Sequence, residues 1–180
     1  NKLFNYTLER HFPNLLESKS KALDFLYAII EQQADLVTNW MRIGFIHGVM
    51  NTDNVALSGE TIDYGPCAFM DHYDPLTVFS SIDHQGRYSF ANQPIITQWN
   101  LARLAETILP LISDKHENAL KLAEEAISTF ADLYQSKWLD MMRLKIGLIT
   151  KENEDKSLIS ELLDIMKKHN SVEIDKAKLD

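Results

Sequence analysis

A chain of 180 residues, 45% of them hydrophobic, is long enough for one folded unit with a sizeable core. Its net charge of −8, with Lys and Arg scattered along it, excludes the basic stripe on which nucleic-acid binding relies. A single cysteine, Cys67, excludes an internal disulfide and fits a reducing compartment, and each long apolar run meets charge before it reaches the length of a membrane span.

Between residues 19 and 44, Ala22, Leu26, Ile30, Ala34, Val37 and Met41 recur at steps of three or four, which predicts a long amphipathic helix. It delivers the chain into His47-Gly48-Val49-Met50-Asn51-Thr52-Asp53-Asn54. Two short apolar runs follow, Val55-Ala56-Leu57 and Thr61-Ile62, around Ser58-Gly59-Glu60, a pattern that predicts a tight hairpin. Asn54 stands at its entrance, and Asp63, followed by Tyr64-Gly65, at its exit.

These residue types point to a nucleoside triphosphate. Phosphoryl or nucleotidyl transfer needs a divalent cation to spread the phosphate charge and a group to orient the attacking hydroxyl. Magnesium takes hard oxygen ligands, typically one or two carboxylates with an amide carbonyl and phosphate oxygens. Asn54 and Asp63, brought together by a hairpin, fit that amide and carboxylate and would hold nucleotide phosphates through the metal. Taken alone, Asp53-Asn54 also suits a turn, and His47 reads as a histidine bonded to backbone. An EF-hand over residues 51–62 fails, because Val55 and Ile62 stand where oxygen ligands are required. Asp71-His72-Tyr73-Asp74 and Asp83-His84 lack a spacing that fixes metal geometry and read as loop anchors.

Residues 64–91 are rich in Asp, His, Ser, Gly and Pro, an irregular stretch of a length that is usually functional. Within it Arg87 is expected to pair with an acid and hold the loop, with contact to substrate as the alternative. Pro94 then opens a helix. Ile96, Trp99, Leu104, Ile108 and Leu111 form one stripe on it, and Ile95, Ala102, Ala105 and Leu109 another, so burial on more than one side is predicted. Asp114-Lys115-His116-Glu117 has capping-box spacing, and Ala123, Ile127, Phe130, Tyr134, Trp138 and Met141 continue at helical period. A last helix follows Asp155 with Leu158, Leu162 and Met166 facing inward, before a charged tail at 171–180 that is expected to fray. Trp99, Trp138 and the methionines are expected in the core.

The spacing from His47 to Asn54 is similar to that of the protein-kinase catalytic loop, His-Arg-Asp with Asn five residues beyond the Asp and Asp-Phe-Gly later. On that alignment Val49 stands at the kinase base, and Asp53 is the nearby carboxylate that remains. Taken with Thr61-Ile62-Asp63-Tyr64-Gly65-Pro66, Asp83-His84-Gln85-Gly86-Arg87-Tyr88-Ser89-Phe90, Gln93-Pro94 and Trp99-Asn100-Leu101-Ala102-Arg103-Leu104-Ala105, the pattern resembles the selenoprotein O (YdiU) family, most densely over residues 47–112.

The resemblance implies a mainly α, protein-kinase-like C-terminal lobe over residues 1–180. Within it would lie a small β-hairpin beside the catalytic loop, at 47–65, and an activation-segment-like loop at 64–91. It implies a protein adenylyltransferase that moves AMP from ATP to Ser, Thr or Tyr hydroxyls of protein substrates and releases pyrophosphate. Asp53 matches the general base, and Asn54 and Asp63 the ligands of Mg2+, with Mn2+ as the alternative. Such a protein is cytoplasmic in a bacterium and mitochondrial in a eukaryote. The family's N-terminal lobe, with its phosphate-contacting Lys and partnering Glu, has no counterpart here, and a chain starting at Asn1 reads as an excised piece. That piece is expected to bind nucleotide weakly, to turn nothing over, and to self-associate through an exposed lobe interface. Kinase-like phosphoryl transfer and an inactive, kinase-shaped binding module stay open as alternatives.

Overall fold

A computed structural model describes residues 2–177, with side chains for residues 2–169. The described residues form helices α1 (Lys2–His11), α2 (Lys21–Ile43), α3 (Gln93–Ile112), α4 (His116–Ile146) and α5 (Asp155–Ala177). A two-stranded antiparallel sheet joins β1 (Phe45–Ile46) to β2 (Ala68–Phe69), with Phe45 opposite Phe69 and Ile46 opposite Ala68. The molecule is therefore mainly helical with one small sheet, and none of the described helices is long and apolar enough to cross a membrane.

Helices α2, α3 and α4 enclose the core, where Ile29, Ile30 and Val37 of α2 meet Ile96 and Leu101 of α3 and Phe130 of α4. Each such side chain, fully buried, stabilises the fold by about 1.5–3 kcal/mol. The predicted stripe of α2 is seen: Ala22, Leu26, Ile30, Ala34 and Val37 are buried and Met41 is half-buried. Gly44 stops the helix at φ 70°, where its N–H donates to Trp40 O. Helix α1 has no counterpart in the periodicity reading. Its anchor is a small aromatic cluster, with Phe4 and Phe12 edge-on to Phe25 at 5.3 and 5.2 Å, and its apolar stripe is too short to show as a repeat.

Four sequence expectations are corrected. The hairpin at 55–63 is reduced to one antiparallel bridge, Val55 with Thr61, and the sheet lies between β1 and β2 instead. Backbone groups that would extend the ladder are engaged elsewhere: Ala56 O accepts from Gln33 Nε2 at 2.8 Å and from Gly59 N–H at 3.2 Å, and Ile62 O from His47 Nε2 at 2.9 Å. On α3, Ile96, Leu101, Ala105, Ile108 and Leu109 are buried as expected, but Ile95 is exposed and Trp99 is 41% exposed. Trp99 lies beneath two arginines rather than in the core. No capping box forms at 114–117: the N-cap is Lys115, and Ser113 Oγ takes the Lys115 N–H at 3.2 Å. On α5 the inward face is one residue out of phase. Ile159 and Leu163 pack with Met141, Met142 and Trp138, while Leu158 and Met166 are exposed. For the tail at 171–180, the structure gives the helical backbone to Ala177, and 178–180 lie outside the described residues.

The start of α5 sets that phase. Asp155 Oδ2 accepts from the Glu152 N–H at 2.9 Å and from Arg143 Nε at 2.5 Å, and Arg143 also reaches Asp140, which Lys151 joins. The Glu152 amide and the Arg143 guanidinium hold the Asp155 carboxyl below its usual range, and Lys151 and Arg143 do the same for Asp140. Both acids bind protons less readily folded than unfolded. Their stabilisation is therefore complete above the unfolded carboxylate range near pH ~4 and is lost as pH falls through the lower folded values. Protection of Ile159 against hydrogen exchange should fall as pH drops from about 5 to about 2, and Asp155→Asn should weaken that dependence to the part that Asp140 contributes.

Candidate functional site

The segment after α2 is irregular, so its backbone needs partners from elsewhere. Buried side chains of the two flanking helices supply them. Gln93, wholly buried at the start of α3, accepts the His47 N–H on Oε1 at 2.9 Å and donates from Nε2 to Phe45 O at 2.9 Å. Seven residues on, Asn100 Nδ2 donates to Met50 O at 3.0 Å. From α2, Gln33 holds Ala56 O, and Trp40 Nε1 donates to Thr61 Oγ1 at 2.8 Å. From the long loop, the Tyr88 hydroxyl donates to Asn51 Oδ1 at 2.6 Å. Sequence reading missed Gln33, Gln93 and Asn100 as positioning residues; a polar side chain recurring on an otherwise apolar helix face was the available signal.

Two contacts bring the segments around residues 47 and 63 together. Buried His47 donates from Nε2 to Ile62 O, while its Nδ1 faces the Val49 N–H at 3.4 Å. It is the backbone-bonded histidine the sequence suggests. Gly48 stands at φ 87°, and a Cβ there would lie 2.3 Å from Pro66 O. Alanine would meet both the left-handed penalty of about 1–2 kcal/mol and an overpacking cost of about 1–3 kcal/mol. Gly48→Ala should therefore lower unfolding free energy by roughly 2–5 kcal/mol, read from a urea midpoint at unchanged slope.

Asp53 and Asn54 occupy a single 3-10 turn, Thr52–Asn54, with Asp53 exposed to solvent. Asn54 Nδ2 donates to Val49 O at 3.0 Å, which orients the amide and leaves Oδ1 as an acceptor. Asn54 immediately precedes the Val55–Thr61 bridge, and Asp63 follows it by two residues. Asp63 is exposed and is the one non-glycine among the described residues with positive φ, 54°. Backbone in that region is uncommon outside Gly, Asn and Asp and is held only where surroundings over-determine it. The His47 bond to the preceding carbonyl and the Gly48–Pro66 approach are those surroundings. No group of three or more His, Cys, Asp or Glu placed to hold a metal occurs among the described residues.

Arg87 also differs from expectation. It makes no carboxylate pair among the described residues; its guanidinium carbon lies 4.8 Å from the centre of the Trp99 ring and 5.7 Å from that of Tyr88. Asp83, the nearest acid in sequence, accepts the Arg87 and Tyr88 backbone N–H groups instead, each at 2.8 Å.

The sequence profile described as "Protein adenylyltransferase SelO" matches residues 1–175. The chain belongs to that family. Curated relatives bearing the name "Protein nucleotidyltransferase YdiU" align with it closely. The one from Pelagibacter ubique is 62% identical over 165 residues, 92% of this chain and 34% of the relative. Those from Nitrosococcus oceani and Brevibacillus brevis are 56% and 54% identical over 169 residues, each 94% of this chain and 34% of the relative. This SelO-family chain thus spans about a third of the length of the curated relatives it matches, and the resemblance read at residues 47–112 extends along nearly all of it.

Proposed function

We propose that this chain forms the acceptor side of a protein adenylyltransferase centre, arranged as a kinase-like C-terminal lobe. In the reaction a Ser, Thr or Tyr oxygen of a protein bonds to the α-phosphorus of ATP, the bond from that phosphorus to the bridging oxygen breaks, and pyrophosphate leaves. Membership of the SelO family over residues 1–175 carries this reading. The order of long helix α2, bonded loop, small sheet, irregular segment and buried helix α3 supports the kinase-like arrangement.

Asp53, exposed on its turn, would accept the proton of the incoming hydroxyl. Asn54 and Asp63 fit a hard divalent cation, Mg2+ or Mn2+, as one oriented amide oxygen and one exposed carboxylate on segments pinned to each other. When bound, that cation would spread triphosphate charge. His47 and Gln93 keep the loop in place, and positioning supplies much of the acceleration in such transfers.

The test uses the full-length protein and ATP labelled at either the α or the γ phosphate. Label carried into protein from the α position alone is the expected result. Transfer from γ alone would make the protein a kinase, and transfer from neither would leave an inactive binding module.

A further inference from the structure

Beside Asp53 lies a cationic ledge that the transfer chemistry does not use. Arg87 from the long loop and Arg103 from α3 both lie against Trp99, at 4.8 and 5.3 Å from its ring centre. Trp99 and Arg103 are one helical turn apart, so they share a face of α3. The Tyr88 hydroxyl ties the ledge to Asn51, and Arg103 lines with Thr52 a cavity of about 260 Å3. Asn51 and Thr52 are the two residues before Asp53.

Three features single this ledge out. In a chain with 26 acidic and 18 basic residues, Arg87 has no carboxylate partner among the described residues. Arg103 bonds Glu106 at 2.8 Å, yet its side chain remains 43% exposed. The ledge is also preorganised: Asp83 and Gly86 at φ 66° fix the turn that presents Arg87, and its guanidinium already rests on the Trp99 and Tyr88 rings, which lowers the ordering cost of binding. A guanidinium stacked on an indole keeps its planar fork directed outward for a carboxylate.

Resting on the adenylyl-transfer reading, we propose that Arg87 and Arg103, braced on Trp99, select protein acceptors carrying an Asp or Glu close in sequence to the modified hydroxyl. Through Asn51 and Thr52 the ledge adjoins the turn that carries Asp53, the proposed base, so a flanking carboxylate on it would orient the hydroxyl toward Asp53.

The experiment measures binding of fluorescent Ser-, Thr- and Tyr-containing peptides to the full-length protein, flanked by Asp and Glu or by Lys. α-Labelled transfer to the same peptides is followed in parallel. The wild type should prefer the acidic set about tenfold, Arg87→Gln with Arg103→Gln should erase the preference, and Arg87→Glu should favour the Lys set. The KM for ATP should not move, and unchanged melting temperatures would confirm folded variants. Equal binding of the two peptide sets, or a rise in the KM for ATP with peptide preference intact, overturns the proposal; the latter would place a nucleotide phosphate on the ledge. Peptide preference without α-label transfer would refute the adenylyltransferase reading and leave the ledge standing.

Discussion

In the full-length protein, Asp63→Asn should reduce transfer of α-label by about a hundred- to a thousandfold while leaving the melting temperature unchanged. Losing one electrostatic stabiliser of a developing charge typically costs about 2.7–4 kcal/mol, and each 1.36 kcal/mol is about a factor of ten in rate. Asparagine is the informative replacement. Asp63 holds φ 54°, a conformation asparagine also tolerates, whereas alanine would add about 1–2 kcal/mol of backbone strain. Rate lost in the asparagine variant therefore reports on charge and not on a displaced turn. Asp53→Asn is the companion variant: in the proposed role of general base, its loss should cost about 10²–10⁴ in rate without altering the concentration of Mg2+ that half-saturates the reaction. Asp63→Asn should raise that concentration. A variant at Asp63 that is fully active, or that loses rate with the same metal dependence as Asp53→Asn, would place the cation elsewhere.

Residue periodicity revealed the long elements, and the identities of a few polar residues supplied the candidate site, for different reasons. The α2 stripe from Ala22 to Val37 was legible because one face of a 23-residue helix is buried along almost its whole length. On α5 only a short contact around Ile159 and Leu163 is buried, so several apolar phases fit the sequence equally and the wrong one was read. The hairpin at Val55–Thr61 shows a limit of local pattern. Two apolar runs around a glycine do specify the reversal, but Gln33 and His47, distant in sequence, take the carbonyls a ladder needs. Trp99 illustrates the same limit at a side chain, since its place on an apolar stripe does not reveal that Arg87, from another segment, lies over it. Asn54 and Asp63 stand as candidates because few residue types suit a phosphate-bound cation, and Asp53 because the family resemblance matches it to the base. What holds the loop in position, Gln93 above all, left only a weak trace, a polar residue on an otherwise apolar helix face, and its partners His47 and Phe45 lie more than forty residues away in sequence.

Gln93→Leu should destabilise the fold by roughly 3–5 kcal/mol, the largest effect expected from any single replacement of a non-glycine side chain around the loop. The side chain is wholly buried and satisfies two backbone groups, the His47 N–H and the Phe45 carbonyl, on either side of Ile46. Leucine fills similar space but offers neither a donor nor an acceptor, so two desolvated polar groups lose their partners at about 1–3 kcal/mol each. A molecule of this size should show this as a fall in melting temperature of roughly 6–20 °C. Ile95→Ala, two residues away at an exposed position, is the control and should stay within about 0.5 kcal/mol. Gln93→Glu separates the two bonds, because a carboxylate still accepts from His47 but repels the Phe45 carbonyl oxygen. If the Leu variant proved as stable as the control, β1 and the loop after it would owe their course to the apolar packing of Phe45 and Ile46, and the link from α3 to Asp53 would be lost. A destabilised variant that also transfers less AMP at temperatures where it remains folded would show that the glutamine positions the loop as well as holding the core.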